Sequence, residues 1–349
     1  MIYLDNNATT QVLPEVLDVI LSELSGGPAN PSSSHFFGRE AKKKLSAARE
    51  LIAAYLKAKP QEILFTSGGT EGLNLLLRPA KEHIITSNVE HSAVYRTLQG
   101  DITYLPVGTY GAVTPEAVKA AITDKTTLIV LSAANNETGV KTNIEAIGNI
   151  ALQANIPFIV DGVALLGKEH FTIPPGVSAM VFSGHKIHAP KGIGFIYVRS
   201  NFKLEPLLTG GDQEFSKRAG TENLAGILGL AKAVELINPG KMETLRDYFE
   251  DQLKGKIEIN GTGPRICNTS NLSFTGVDGE TLLIGLDQAG IAASHGSACA
   301  SGALEPSRIL QNMGLPRPRV LSSLRFSLSR FTTQQEIDTV IQTLLRLCK

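Results

Sequence analysis

The sequence has no tryptophan, only three cysteines, no surplus of either charge and no long uninterrupted apolar run. Each shortage excludes a class of protein. Cys267, Cys299 and Cys348 include no Cys-x-x-Cys pair, so neither a disulfide framework nor a structural zinc site is available, and a reducing, cytoplasmic compartment is expected. Lys plus Arg number 33 and Asp plus Glu number 33, so no long-range field draws the chain to nucleic acid or to an anionic membrane. Apolar runs break well before about 18 residues, and the start, MIYLDNNATT, has neither a basic nor an apolar signal region. The expectation is a chain with no membrane span and no export signal. What remains is ordinary globular material: 349 residues, 42% hydrophobic and 19% charged. That is enough for a large buried core and, at roughly 150 residues per domain, about two domains.

Short β-type runs alternate with helical patterns from Glu62 to Val198. Ile63 to Thr66, His83 to Ser87, Leu128 to Ser132, Phe158 to Asp161, Ala179 to Phe182 and Gly194 to Val198 are apolar nearly throughout. Such runs predict strands covered on both faces, hence a mostly parallel sheet in an α/β domain. Between them, Pro115 to Thr123 and Asn143 to Asn155 carry helical spacing with Pro or Asn at their starts. A long apolar helix from Leu224 runs to about Ile237, and Asn238-Pro239-Gly240 then marks a boundary. The expected division is a large domain over 13–237 and a small α+β domain over 1–12 plus 238–349. The last helix is signalled by a capping box, Thr333-x-x-Glu336, with Ile337, Val340, Ile341, Leu344 and Leu345 on one face.

In open α/β sheets the ligand sits beyond the carboxyl ends of the strands. Here those ends are polar and glycine-rich. After Ile63 to Thr66 comes Ser67-Gly68-Gly69-Thr70-Glu71-Gly72, which offers free amides and hydroxyls at a helix start: an anion cradle, or simply a tight turn that needs glycine. GxxxxGK[ST] is absent, Gly192-Ile193-Gly194 leads into a strand, and HExxH is absent, so an NTPase, a Rossmann dehydrogenase and a metal-dependent mechanism have no support. One strand ends in Asp161 and the next in Ser183-Gly184-His185-Lys186. An amine, a carboxylate and an anion cradle together are what pyridoxal phosphate requires, although Lys191 serves as well as Lys186 on composition alone.

Nine segments in order carry a resemblance that spans essentially the whole chain. They are Tyr3-Leu-Asp-Asn-Asn-Ala-Thr-Thr10, Asn30-Pro-Ser-Ser-Ser-His35, Thr66-Ser-Gly-Gly-Thr-Glu71, Glu90-His91, Asn135-Asn-Glu137, Ser183-Gly-His-Lys186, Arg218-Ala-Gly-Thr221, Gly296-Ser-Ala-Cys299 and Arg325-Phe-Ser-Leu328. The chain resembles the cysteine desulfurases of the NifS/IscS type, among the class V aminotransferases. That resemblance implies the pyridoxal-phosphate transferase fold type I: a mostly parallel seven-stranded sheet in the large domain, with a smaller α+β domain. It implies that Lys186 holds pyridoxal 5'-phosphate covalently, that Asp161 faces the ring nitrogen and that His91 stacks on the ring and moves protons. Gly69, Thr70, Ser183 and His185 correspond to the phosphate site, Asn136 to a contact with the ring oxygen and the substrate, and Arg325 to the clamp on the substrate carboxylate. Thr221 would reach the phosphate in the partner subunit, which implies a homodimer. Cys299, in a small-residue stretch after His295, is the expected nucleophile. It would take the sulfur of L-cysteine as a persulfide, release L-alanine and pass the sulfur to an iron-sulfur scaffold or another acceptor protein. Cys267 and Cys348 match no family position and are expected to be small core residues.

The sequence departs from the family at Asp161-Gly162-Val163-Ala164, where Ala-x-Gln usually follows the Asp. Ala164 cannot donate to the ring oxygen, and Gly162 removes a methyl expected under the ring. The stretch Gly210 to Lys217 also differs from the usual glycine-rich form. Two alternatives therefore accompany the desulfurase reading: a selenocysteine lyase or another lyase using the same cofactor, and a weakly catalytic scaffold partner.

Overall fold

A computed structural model describes residues 1–80, 82–296 and 306–348. Strand β1 (Ile2–Tyr3) opens the chain, and the main sheet is built from β2 (Ile63–Thr66), β3 (His83–Ser87), β4 (Ile102–Leu105), β5 (Thr126–Ser132), β6 (Phe158–Asp161), β7 (Ala179–Ser183) and β8 (Gly194–Val198). A small sheet follows from β9 (Glu258–Ile259), β10 (Thr269–Ser273) and β12 (Ser323–Ser327), while β11 (Ile291–Ala292) pairs in parallel with β1. The main sheet has the order β2-β8-β7-β6-β5-β3-β4. Strands β4, β3, β5, β6 and β7 run parallel, and β8 is antiparallel to both its neighbours.

The unbroken apolar runs reflect burial on both faces. Val130, Ile159, Val181 and Ile196 join one hydrophobic cluster, whereas Ile129, Leu131, Phe158, Val160, Met180, Phe182 and Phe195 join the other. Successive side chains alternate between the faces, so a run with no polar member needs a layer on each side. The helices Pro14–Leu24 and Phe36–Leu56 pack with Leu224–Glu235 on the second of these faces. A third cluster, including Leu4, Phe249, Leu272, Phe326 and Val340, forms a separate core around the small sheet.

Helix ends follow the capping residues. Asn143 accepts from Ala146 N at 3.0 Å to start Ile144–Ala154, and Asn155 ends it with φ 54°, a left-handed position that asparagine tolerates. Thr114 caps Pro115–Ala121, which stops two residues short of the expected Thr123. The Thr333–Glu336 box caps Gln334–Leu347 as expected. Strand β4 has no counterpart in the sequence reading. It is a short edge strand in which Ile102, Thr103 and Tyr104 are not fully buried, so it lacks the apolar run that marks the others. Among the described residues no helix is long and apolar enough to cross a membrane.

Candidate active site

The carboxyl ends of β2, β3, β5, β6 and β7 converge on a cavity of about 520 Å³. Gly69, Thr70, His91, Asn136, Asp161, Ser183, His185, Lys186 and Arg325 all line it. Thr221 does not: it is exposed, three residues beyond Arg218. Cys299 lies outside the described residues. His295, four residues before it, contacts the Leu321 carbonyl through Nε2 at 3.2 Å, and its buried Nδ1 has no partner among the described residues.

The cradle owes its shape to close backbone approach. Thr66 ends β2, and the helix Gly69–Leu77 begins three residues later, after Gly68 at φ +151°. A Cβ on Gly69 would stand 2.8 Å from Val163 Cγ2, and one on Gly194 would stand 2.7 Å from Gly68 Cα. The first amides of a helix have no acceptor of their own, so Gly69 and Thr70 bring donors to the cavity wall. Glu71 accepts from Ser67 N at 2.8 Å and pairs with Arg218, 2.8 Å from Nε.

Asp161, the last residue of β6, is buried. Burial pushes its carboxyl above the usual range, and His91, the Val163 amide (3.0 Å to Oδ1) and Lys186 oppose that rise. His91 caps the short helix Ser92–Tyr95, its Nδ1 accepting from Ala93 N at 3.1 Å, which places a neutral ring's proton on Nε2. Lys186 follows β7 in a single 3-10 turn, Gly184–Lys186. Its Nζ donates to the carbonyls of Asn7 and, at 2.9 Å, Ala8. The same N-terminal segment holds His185: Thr9 Oγ1 stands 3.2 Å from Nδ1 and Thr10 N donates to the His185 carbonyl at 2.9 Å. Burial, then the charges of Lys186 and Lys191, push the His185 imidazole down to about 4, so it is neutral at ordinary pH. Arg325, only 2% exposed, donates through Nη2 to Asp5 and through Nη1 to the Asn136 carbonyl at 3.1 Å. Its Nε has no partner among the described residues.

Two departures from the family pattern read differently in three dimensions. Ala164 lines the cavity and brings no donor, as expected. Gly162 is a correction. A Cβ there would lie 2.6 Å from Met180 Cε and 2.7 Å from Phe182 Cε1, inside the core and not under a ring in the cavity. Glycine at 162 therefore answers to Met180 and Phe182. The sequence reading also missed Lys168, which lines the cavity and donates to the Lys186 carbonyl at 3.3 Å. Burial pushes this amine down to about 8. Nothing near it in the sequence, Gly167-Lys168-Glu169, signals a buried cation.

A lysine amine, a buried carboxylate, a glycine cradle and a buried guanidinium whose Nε is unpaired among the described residues, all around one cavity, suit a phosphorylated cofactor and a small amino-acid substrate. Comparison with known proteins agrees. The family model "Aminotransferase class-V" matches residues 2–340. A cysteine desulfurase of Trichormus azollae is 46% identical, covering 99% of this chain and 92% of that protein. A cysteine desulfurase IscS of Clostridium botulinum is 39% identical, covering 100% and 94%. A solved NifS-like protein superposes with a TM-score of 0.91 at 32% identity, covering 99% of this chain and 98% of that one. The chain belongs to the class V aminotransferase family, fold type I, among its cysteine desulfurases of the NifS/IscS type.

Proposed function

We propose that the protein is a pyridoxal-phosphate-dependent cysteine desulfurase that converts L-cysteine to L-alanine and leaves a persulfide on Cys299. The observation that carries this reading is the convergence of Lys186, Asp161, the Ser67–Thr70 cradle and Arg325 on one cavity. These residues fit the cofactor. Lys186 Nζ is the amine that would hold it, and Asp161 the acceptor for its ring N–H. Gly69, Thr70, Ser183 and His185 would donate to its phosphate, and Asn136 and His91, on the same cavity wall, would flank its ring. When bound, the cofactor supplies an electron sink for charge developing at the substrate's Cα.

The chain's own groups supply the rest. Arg325 offers Nε and the remaining N–H of its fork to the substrate carboxylate, while Asp5 and the Asn136 carbonyl hold the guanidinium plane. His91 Nε2 is placed to carry a proton at the cavity wall. Cys299, as thiolate, attacks the substrate's Sγ; the Cβ–Sγ bond breaks, its electron pair and a proton complete the methyl of alanine, and the new S–S bond stays on Cys299. The balance is one cysteine plus one thiol in, one alanine plus one persulfide out.

A homodimer accompanies this reading. Thr221 is exposed and outside its own cavity, and Leu17, Leu21, Leu24, Phe36 and Phe37 leave an apolar face near the chain's start. In the dimer Thr221 serves the partner's phosphate site. The sulfur acceptor is a second protein, such as an iron-sulfur scaffold, in a reducing, cytoplasmic compartment. We also place the boundary between a large domain, 13–237, and a small one, 1–12 plus 238–349, since Leu4 and Met242 pack together in the separate core around the small sheet. Ala164 favours one other reading, a lyase for selenocysteine. Turnover of cysteine and selenocysteine compared side by side decides between them: comparable or faster turnover of cysteine supports the desulfurase, and strong preference for selenocysteine replaces it.

A further inference from the structure

Glu90 is a second buried carboxylate at the strand ends, and no step above uses it. It is 4% exposed. Its Oε1 accepts from Ser87 Oγ at 2.6 Å, and its Oε2 accepts from Ser132 N at 2.9 Å and from Ser132 Oγ at 2.5 Å. Ser87 ends β3, Ser132 ends β5, and Ser132 stands in register beside Asp161 at the end of β6. One carboxylate thus bridges two adjacent parallel strands at the rim of the cavity, next to the acid on the third. Residue 91, directly after it, is the histidine at the cavity wall. Arg308 reaches the same turn but donates to the backbone carbonyls of Glu90 and Asn88, not to the carboxylate. Among the described residues the Glu90 carboxylate has no cationic partner.

We propose that Glu90 is a positioning residue that acts through Asp161 and His91: it locks the ends of β3 and β5 and sets the charge beside the acid that faces the cofactor. This rests on the reading of Asp161 as the ring-nitrogen partner. Two carboxyls buried side by side do not ionise independently. Burial pushes the Asp161 carboxyl up, and His91, the Val163 amide and Lys186 oppose that rise. Burial pushes Glu90 up to about 7, the charge of Asp161 adds to that rise, and the hydrogen bonds from Ser132 and Ser87 oppose it. Around the pair stand Ser87 on β3, Ser132 on β5, His91 on the following turn, Lys186 after β7 and Arg308 on the helix Arg308–Asn312. Below about 7 Glu90 is uncharged; above it an anion stands behind the cavity wall beside Asp161, and a ring-nitrogen proton facing Asp161 would be held more tightly.

Glu90→Gln suits the test because its amide oxygen still accepts from Ser132 while its NH2 donates to Ser87 Oγ. Only the titrating proton is lost. The measurement is the absorption spectrum of the cofactor-loaded protein across pH, with cofactor content determined separately, for wild type, Glu90→Gln and Ser132→Ala. We expect a spectral step near pH 7 in the wild type, its loss in Glu90→Gln at full cofactor content, and an upward shift in Ser132→Ala, which removes a donor from the ionised form. If Glu90→Gln does not fold, Ser132→Ala alone decides by that shift. Identical titrations in all three proteins overturn the role of Glu90. A wild type that takes up no cofactor overturns the reading beneath it instead.

Discussion

Arg325 and Asp5 are joined by an ion pair, Nη2 to Oδ1 at 2.6 Å, that ties the guanidinium in the cavity to the N-terminal segment. The same segment receives the Lys186 amine through the carbonyls of Asn7 and Ala8. One stretch of chain therefore orients both the Lys186 amine and the Arg325 guanidinium. Asp5→Asn keeps the shape and removes the charge, so Arg325 is held less firmly while its hydrogen bond to the Asn136 carbonyl is unchanged. A hydrogen bond to a charged group is worth about 1.5–3 kcal/mol, which predicts a rise in KM for cysteine of about tenfold or more with an unchanged cofactor spectrum. Arg325→Lys, which cannot bind a carboxylate by two parallel bonds, should raise KM further. Steady-state alanine release across cysteine concentration measures both.

His185 and His188 predict the acid limb of stability. Burial pushes both imidazoles down to about 4 from an ordinary 6.5. The folded chain keeps them neutral where the unfolded chain protonates, so their contribution is present above about 6.5 and is lost as pH falls toward 4. Glu90 works the other way: raised to about 7, it favours the folded state below its unfolded value, and that contribution is lost as pH rises through 7. Melting temperature should therefore fall on both sides of the weakly acidic range. His188→Gln should flatten the acid limb and Glu90→Gln the neutral one, and thermal melts from about pH 4 to 9 read both slopes.

A strained turn precedes Arg218. Glu214, Phe215 and Ser216 are consecutive non-glycine residues with φ of 47°, 60° and 61°. Each left-handed residue costs about 1–2 kcal/mol, and a buried bidentate pair holds the turn: Arg49 Nη2 to Glu214 Oε1 at 2.6 Å and Nη1 to Oε2 at 2.8 Å. The Arg49 guanidinium lies between Phe65 and Phe215, 4.7 and 5.0 Å from their centroids. Ser216→Gly should stabilise the protein by about 1 kcal/mol. Glu214→Gln, which leaves a buried guanidinium uncompensated, should cost about 3–5 kcal/mol. Urea denaturation followed by fluorescence or circular dichroism gives both differences.

Cys267 should be a bystander. Burial pushes its thiol up to about 11, and it donates to the Lys168 carbonyl at 2.8 Å. A thiol in that state is a poor nucleophile near neutrality. Cys267→Ser is expected to leave alanine release and the rate of single-site alkylation unchanged, and a large loss of either would move the sulfur chemistry away from Cys299.

Much of the sheet was legible because burial on both faces writes strands as apolar runs, and Asn143, Asn155 and Thr333 wrote their helix ends directly. The edge strand β4 was hidden by partial exposure, which dilutes that signal. The candidate site was legible where it sits at strand ends, as with Asp161 and Lys186. Lys168, Asp5 and Glu90 were not, because their roles come from contacts across 18 to more than 300 residues or between separate strands. Gly162 was misjudged for the same reason: its neighbours Met180 and Phe182 lie on the next strand.

The central claim is that one cavity built around Lys186 delivers the sulfur of cysteine to Cys299. The most direct measurement is alanine formation from L-cysteine by the cofactor-loaded protein, with mass spectrometry of the Cys299 peptide, for wild type, Lys186→Ala and Cys299→Ser. The account predicts alanine from the wild type, 32 Da (one sulfur atom, about that mass) added to Cys299, and loss of alanine in both variants. Alanine formed at the wild-type rate by Cys299→Ser, or no alanine from a wild type that carries its cofactor, would contradict it.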